Sequence, residues 1–250
     1  MHKILANTLF LGKDIFYLTE CHSSNEVAMS LYRSNLSKEG TIVRCLHQLD
    51  GKGQRGNKWF TEAGLNLTFS MVFTPVFLEV YQQFVLNMAV SNGIFDALSK
   101  RESQIKVKWP NDIVHPKGKL GGILIENVVG LNGFELAIVG LGLNINQTKF
   151  SVPNALSLAN LKEEVLDMEE IFQDIVFNVE KWYLKAKELR FNEIKTYYLS
   201  HLTRFEQWDW FDDGMVFLGK ITDIDSNGKL KVLKQNGRVK SYELKEIRFI

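Results

Sequence analysis

Gln48-Leu49-Asp50-Gly51-Lys52-Gly53-Gln54-Arg55-Gly56-Asn57-Lys58-Trp59 sets three glycines and three cations between a glutamine and a tryptophan. Glycine lets a backbone turn back and approach a ligand closely. Cations and free N–H groups in such a loop favour phosphate. Two familiar phosphate loops fail against it. Gly51-x-Gly53-x-x-Gly56 matches the dinucleotide fingerprint as a string, but that motif must open a helix. The next ordered run, Leu65-Asn66-Leu67-Thr68-Phe69-Ser70-Met71, alternates as a strand does. A P-loop needs Lys and then Ser or Thr after its last glycine, whereas Gly56 is followed by Asn57-Lys58. The stretch is a phosphate-facing loop between two strands, which is a third kind of site.

Upstream, Thr41 to Leu46 reads as the strand that enters the loop, and Ile15-Phe16-Tyr17-Leu18 as a short buried strand. Between them Ser23-x-x-Glu26 has the form of a capping box ahead of Ala28, Met29, Leu31 and Tyr32 at helical spacing. Downstream, Phe77, Val80, Tyr81, Phe84, Val85, Met88, Phe95 and Leu98 recur at helical spacing. Lys100-Arg101 suit the end of that helix. Ile105, Val107 and Trp109 alternate as a half-buried strand, and Lys119 to Val129 and Phe134 to Ile145 are two more, joined by the turn Gly130-Leu131-Asn132-Gly133. Asp167 to Leu189 is a long amphipathic helix with an N-terminal capping arrangement. After about Leu202 the composition changes. Asn227-Gly228 and Asn236-Gly237 are hairpin turns between alternating runs. The expected organisation is an α+β main domain over 1–204 and a small all-β barrel over 205–250.

The bulk numbers exclude several classes. The 250 residues are 45% hydrophobic and 24% charged, as in ordinary soluble globular proteins. A net charge of +1 and a pI near 7.7 give no global reason to expect nucleic acid. Cys21 and Cys45 make neither a disulfide framework nor a metal cluster, which fits a reduced, cytoplasmic setting. Met1 to Phe10 lack the apolar core of a signal peptide, and no run approaches membrane-spanning length.

Three further segments carry chemistry. In Lys106-Val107-Lys108-Trp109-Pro110-Asn111-Asp112, the proline ends the ladder and leaves Asn111 and Asp112 at a strand end. A plain Asn-Asp turn is the alternative. In Lys119-Leu120-Gly121-Gly122-Ile123-Leu124-Ile125-Glu126, paired glycines inside a strand mark close approach by a ligand, or else a β-bulge. In Gly140-Leu141-Gly142-Leu143-Asn144-Ile145-Asn146, alternating glycines leave one strand face bare, for a flat ligand or for a helix. Asn144 offers donors and an acceptor to an adenine edge.

The four segments in this order resemble the biotin protein ligases, from about Ile15 to the C-terminus. Lys-Trp-Pro-Asn-Asp and Lys-Leu-Gly-Gly-Ile-Leu-Ile-Glu are the most specific parts of the match. The resemblance implies a mixed sheet with flanking helices, like a class II aminoacyl-tRNA synthetase, plus an SH3-like C-terminal barrel. It implies joining of biotin and ATP, with Mg²⁺, into biotinyl-5′-AMP and pyrophosphate. Biotin then passes to one lysine of a biotin carboxyl carrier domain. Positioned cations would lower both barriers, since charge builds on oxygen.

The implied catalytic residues are Lys119, Arg55 and Asp112. Lys119 would meet the biotin carboxylate and the phosphate, and Asp112 would orient the carrier lysine. Ser23, Ser24 and Gln48 would bond the ureido ring, and Gly51, Lys52, Gly53, Gln54 and Arg55 would close over the adenylate. Trp59 would cover the adenine, Gly140 and Gly142 would floor the biotin pocket, and Asn144 would read adenine. Asn25, Asn111, Gly121 and Gly122 complete the ligand-binding set; the motifs assign no metal ligands. Where the family commonly has Gly-Arg-Gly-Arg, this chain has Gly51-Lys52-Gly53-Gln54 and then Arg55. Bifunctional members add an N-terminal winged helix that binds DNA. Only about a dozen residues precede the first strand here, so DNA binding is not expected. A soluble monomer or homodimer away from membranes is expected. The rivals are a lipoate-type ligase and a non-catalytic biotin-binding module.

Overall fold

The structure, a computed structural model, describes residues 7–131 and 133–250, with the Arg55 side chain outside the described set. In chain order the elements are β1 (Ile15–Cys21), α1 (Ser24–Arg33), β2 (Ile42–Gln48), β3 (Asn66–Phe73), α2 (Gln83–Ser99), β4 (Lys106–Lys108), β5 (Asp112–His115), β6 (Gly118–Gly130), β7 (Gly133–Asn144), α3 (Leu158–Lys162), α4 (Met168–Lys187) and α5 (Phe191–Ser200). Then come β8 (Trp208–Asp212), β9 (Val216–Ile224), β10 (Leu230–Lys234), β11 (Val239–Tyr242) and β12 (Arg248–Phe249). The first seven strands form one mixed sheet in the order β1-β2-β3-β7-β6-β5-β4, and only the β1–β2 pair is parallel. The last five form an antiparallel sheet in the order β11-β10-β9-β8-β12.

Helices cover both faces of the main sheet, so β3 is buried along its whole length. On one face α1 seals Ala28 against Val43, Val72, Leu136 and Ile138. On the other, Phe69 meets Phe172 of α4 edge-on at 5.0 Å, and Phe73 lies 4.4 Å from the Tyr183 ring. Truncating a buried aromatic such as Phe69 to alanine should cost about 3–5 kcal/mol. β7 shows how the alternation builds a site. Val139, Leu141 and Leu143 point into the large core, while Leu136 and Ile138 lie under α1. Beyond Ile138 the α1 face of the strand carries Gly140 and Gly142 and, at the strand's end, Asn144. Register pairs Gly122 of β6 with Gly142, and Leu124 with Gly140.

The C-terminal sheet shares the main core through Phe211, Ile221, Ile224, Leu230 and Val232. The two Asn-Gly turns fall where expected, joining β9 to β10 and β10 to β11, with φ of +89° at Gly228 and +80° at Gly237. Trp109 Nε1 donates to the Gly228 carbonyl at 2.8 Å, tying the first turn to the end of β4. Burial pushes the Asp213 carboxyl up, but bonds from Lys234, Tyr242 and Lys240 outweigh it and hold the group far below the usual carboxylate range.

Several expectations differ. Ser23 is the N-cap of α1, but its side chain makes no capping bond. Glu26 pairs instead with Lys52 of the glycine loop, so the capping box does not form. The helix expected from Phe77 begins at Gln83, behind a single 3₁₀ turn at Val80–Gln82 capped by Glu79. β5, α3 and α5 are additions to the expected elements. At α4, Asp167 accepts from the N–H groups of Glu169 and Glu170, in keeping with its position. Asn132 of the hairpin turn lies outside the described residues. Cys21 and Cys45 are both free thiols. No helix among the described residues is long and apolar enough to cross a membrane.

Candidate active site

Where α1 stops covering the sheet, a cavity of about 480 Å³ opens over the glycines. Ser23, Ser24 and Asn25 enter it from the start of α1, Gln48 from the end of β2, and Gly122, Gly140 and Gly142 from the floor. The glycines are required by volume. A Cβ on Gly140 would collide with the Asn25 amide, and one on Gly142 with the Trp59 indole. Asn25 and Ser24 are 3% and 4% exposed, so their polar atoms must be satisfied internally. Asn25 Nδ2 donates to Glu126 Oε2 at 2.7 Å, and Ser70 Oγ lies 2.6 Å from Asn25 Oδ1 and 2.7 Å from Ser24 Oγ. The Ser24 N–H donates to Gln48 Oε1 at 2.8 Å.

A second, wider cavity of about 1380 Å³ adjoins the first. Trp59, Gln48, Lys108, Asp112, Lys119 and Phe249 line both. Lys119 Nζ pairs with Asp112 Oδ1 at 2.6 Å and lies 5.9 Å from the centre of the Trp59 ring system. The two side chains are only partly buried, so water screens the pair and a ligand can displace it. Asn144 opens on the second cavity and donates to the Leu156 carbonyl at 3.1 Å. Its Oδ1, Trp59 Nε1 and Gln54 Oε1 are buried with no protein partner. Three orphaned polar atoms at one site mark places where a ligand's polar groups fit.

The structure brings Lys119, Asp112, Asn111, Gln48, Lys52, Gly53, Gln54, Trp59 and the Ser23–Asn25 run to one place. Gly51 and Gly121 do not line it. A Cβ on Gly121 would meet the Gly142 carbonyl at 2.7 Å, so this glycine serves strand packing. The Arg55 side chain lies outside the described set. Asn111 Nδ2 donates to the Ile123 carbonyl at 2.7 Å, which steadies the turn ahead of Asp112. Missed in the sequence were Lys108 and a C-terminal edge comprising Leu244, Lys245, Ile247, Arg248 and Phe249. Lys108 Nζ stands 5.1 Å over the Phe249 ring, a contact with no local sequence signal. Also missed were Ser70 and Glu126 behind the cavity.

A glycine-floored pocket joined to a wider one through a lysine and a tryptophan, on a mixed sheet, is a site for two ligands that meet at one cation. The model of the Biotin/lipoate A/B protein ligase family matches residues 18–144, half of the sequence, and the chain belongs to that family. It is similar to the bifunctional ligase/repressor BirA of Bacillus subtilis, with 28% identity over 94% of this chain and 74% of that protein. The biotin–[acetyl-CoA-carboxylase] ligase of Mycobacterium tuberculosis is 25% identical over 83% of this chain and 79% of its own length. Among solved structures, the biotin protein ligase of Aquifex aeolicus in complex with biotin and ATP superposes with a TM-score of 0.78 at 24% identity. That match covers 95% of this chain and all of the Aquifex chain.

Proposed function

We propose that the protein is an ATP-dependent biotin protein ligase. One observation carries this reading: Lys119 stands where the glycine-floored cavity meets the wider one that Asn144 opens on. A biotin carboxylate in the first and an ATP α-phosphate in the second would meet beside the Lys119 ammonium. A carboxylate oxygen attacks the α-phosphorus, the bond to pyrophosphate breaks, and biotinyl-5′-AMP forms. The lysine offsets the charge that grows on the phosphoryl oxygens. In the second step a carrier-domain lysine amine attacks the acyl carbon and AMP leaves. Asp112, freed when Lys119 turns to the ligand, orients that amine. Trp59 and Asn144 hold the adenine, with the orphaned Asn144 Oδ1 and Trp59 Nε1 supplying the polar complement.

Mg²⁺ is implied by ATP chemistry. Among the described residues no group of three His, Cys, Asp or Glu side chains could hold a metal. Mg²⁺ with a nucleotide takes most of its ligands from phosphates and waters and only one or two from carboxylates, so the ion would sit on the ATP phosphates and neutralise charge there. The acceptor is a biotin carboxyl carrier domain of a carboxylase. We read residues 1–204 as the catalytic domain, of class II synthetase type, and 205–250 as an SH3-like domain that supplies the Leu244–Phe249 edge.

A lipoate-type ligase is the competing reading within the family, and a non-catalytic binding module the one outside it. Incubation with ATP, a carrier domain and either biotin or lipoate separates all three by mass spectrometry. A biotin-sized shift on the carrier is expected. A lipoate-sized shift, or none with either acid, overturns the assignment.

A further inference from the structure

We propose that Glu126 and Ser70, which line neither cavity, fix the polarity of the pocket's inner end and so make it select a ligand that donates N–H. The proposal rests on the biotin ligase reading and names how that site chooses its substrate. The reason is the number of protons along one buried chain of hydrogen bonds. An ionised carboxylate has none to give. Asn25 must therefore turn its Nδ2 toward Glu126 Oε2, 2.7 Å away, which leaves Oδ1 facing Ser70 at 2.6 Å. Oδ1 can only accept, so the Ser70 hydroxyl proton goes to it. Ser70 Oγ also lies 2.7 Å from Ser24 Oγ and has one proton. Ser24 must then donate to Ser70. Its own proton is committed, and Ser24 presents only lone pairs to the cavity it lines.

A second amide is fixed in the same way. The Ser24 N–H is taken by Gln48 Oε1, which leaves the Gln48 Nε2 protons for a ligand. The inner end thus offers an acceptor at Ser24 and a donor at Gln48. A ureido ring, with N–H beside C=O, complements both. A dithiolane ring has neither group and would leave both unpaired. Ser70 is fully buried and Asn25 and Ser24 nearly so, so reversing the chain strands a buried polar group.

Glu126→Gln tests the idea, because the amide has the carboxylate's shape but can donate, which leaves only the Leu124 carbonyl, 3.4 Å from Asn25 Nδ2, to hold the Asn25 amide in its orientation. Calorimetry on the full chain should show biotin Kd weakened about tenfold, with ATP Kd and Tm unchanged. Ser70→Ala, which breaks the chain at its middle, should weaken biotin in the same direction. A biotin analogue methylated on its ureido nitrogens should bind the wild type weakly and lose nothing more in Glu126→Gln. Unchanged biotin Kd in both variants, or an equal loss for the methylated analogue, overturns the polarity chain while leaving the ligase reading intact. A wild-type chain that binds no biotin overturns that reading, and this proposal with it.

Discussion

The pocket contains two glycine clusters that resemble each other in sequence and differ in what each glycine is for. On the floor, Gly140 and Gly142 have ordinary strand backbone, and what they lack is space: Asn25 and Trp59 occupy the volume a Cβ would need. In the loop, Gly51 too is limited by space, since a Cβ there would collide with the Trp59 carbonyl, but Gly56 has φ of +83° with nothing within 4 Å, so what it provides is an angle. The surroundings differ accordingly. The floor is pinned by sheet pairing on both sides of β7. The loop is closed on itself by Gly53 N–H to the Asn57 carbonyl and Trp59 N–H to the Gly51 carbonyl, each 2.7 Å, and its side chains add the ion pairs Lys52–Glu26 and Lys58–Asp50, all 44% exposed or more. Exposed pairs of that kind contribute little and weaken with salt. The floor is therefore fixed by sheet pairing, and of the two regions the loop is the one a ligand is expected to rearrange.

The largest effect is expected at the floor's cation. Lys119→Ala should lower the rate of adenylate formation roughly 10²–10³-fold, the scale of removing one preorganised donor from a transition state. The fold should survive, since the side chain is 40% exposed and its partner Asp112 remains partly solvated. Pyrophosphate release and Tm, measured together, check both halves. Near-wild-type release would mean that the charge is met from the loop, and the contrast between the two regions would collapse.

Next comes Gly140→Ala. The added methyl must displace Asn25, and overpacking of this kind costs about 1–3 kcal/mol. Biotin affinity should fall roughly tenfold to a hundredfold by calorimetry, while ATP affinity holds. An equal loss for ATP would show that the floor is not specific to the first cavity.

Much of this contrast can be read from the chain alone. The bare face of β7 is visible in Gly140-Leu141-Gly142-Leu143, and the position of the loop between strands in the period-two run Leu65–Met71 after it. The Asn-Gly turns declare the C-terminal hairpins by local chemistry. The hidden features depend on register or on distance along the chain. Ser70 looks like a neutral interruption in an apolar strand. It acquires a role only because β3 sets it opposite Gly140, within reach of Asn25, which is 45 residues away. Phe249 and Arg248 reach the cavity by the packing of one sheet on another, which leaves no mark near Lys108. The Ser23–Glu26 capping box misleads because its local pattern is sound. A tertiary partner, Lys52, takes the glutamate away.

Within the loop, Arg55→Ala should raise the biotinyl-AMP off-rate more than Gln54→Ala does. Only a guanidinium can give phosphate a bidentate charged contact, whose loss costs about 1.5–3 kcal/mol, roughly tenfold to a hundredfold. Removing the neutral Gln54 amide should cost about 1 kcal/mol. Gln54 Oε1 is buried without a protein partner, so its pull on a ligand is what the comparison measures. Off-rates from preloaded enzyme decide it. A larger increase for Gln54→Ala would assign the contact to the position where the family commonly has arginine.

Gly56→Ala should have the smallest effect, and it tests the contrast most directly. The methyl meets nothing, so no neighbour has to move. The cost lies in the left-handed backbone region, which penalises a residue with a Cβ by about 1 kcal/mol. That penalty falls on the turned loop conformation and not on the sheet beneath it. Adenylate off-rate should rise about fivefold, the equivalent of that energy, while biotin Kd and Tm stay at wild-type values. The same substitution at Gly140 should do the reverse, damaging biotin affinity through collision at an unstrained φ. If Gly56→Ala weakens biotin as much as Gly140→Ala does, the loop already forms part of the biotin floor before ATP binds. One glycine cluster would then not be separable from the other.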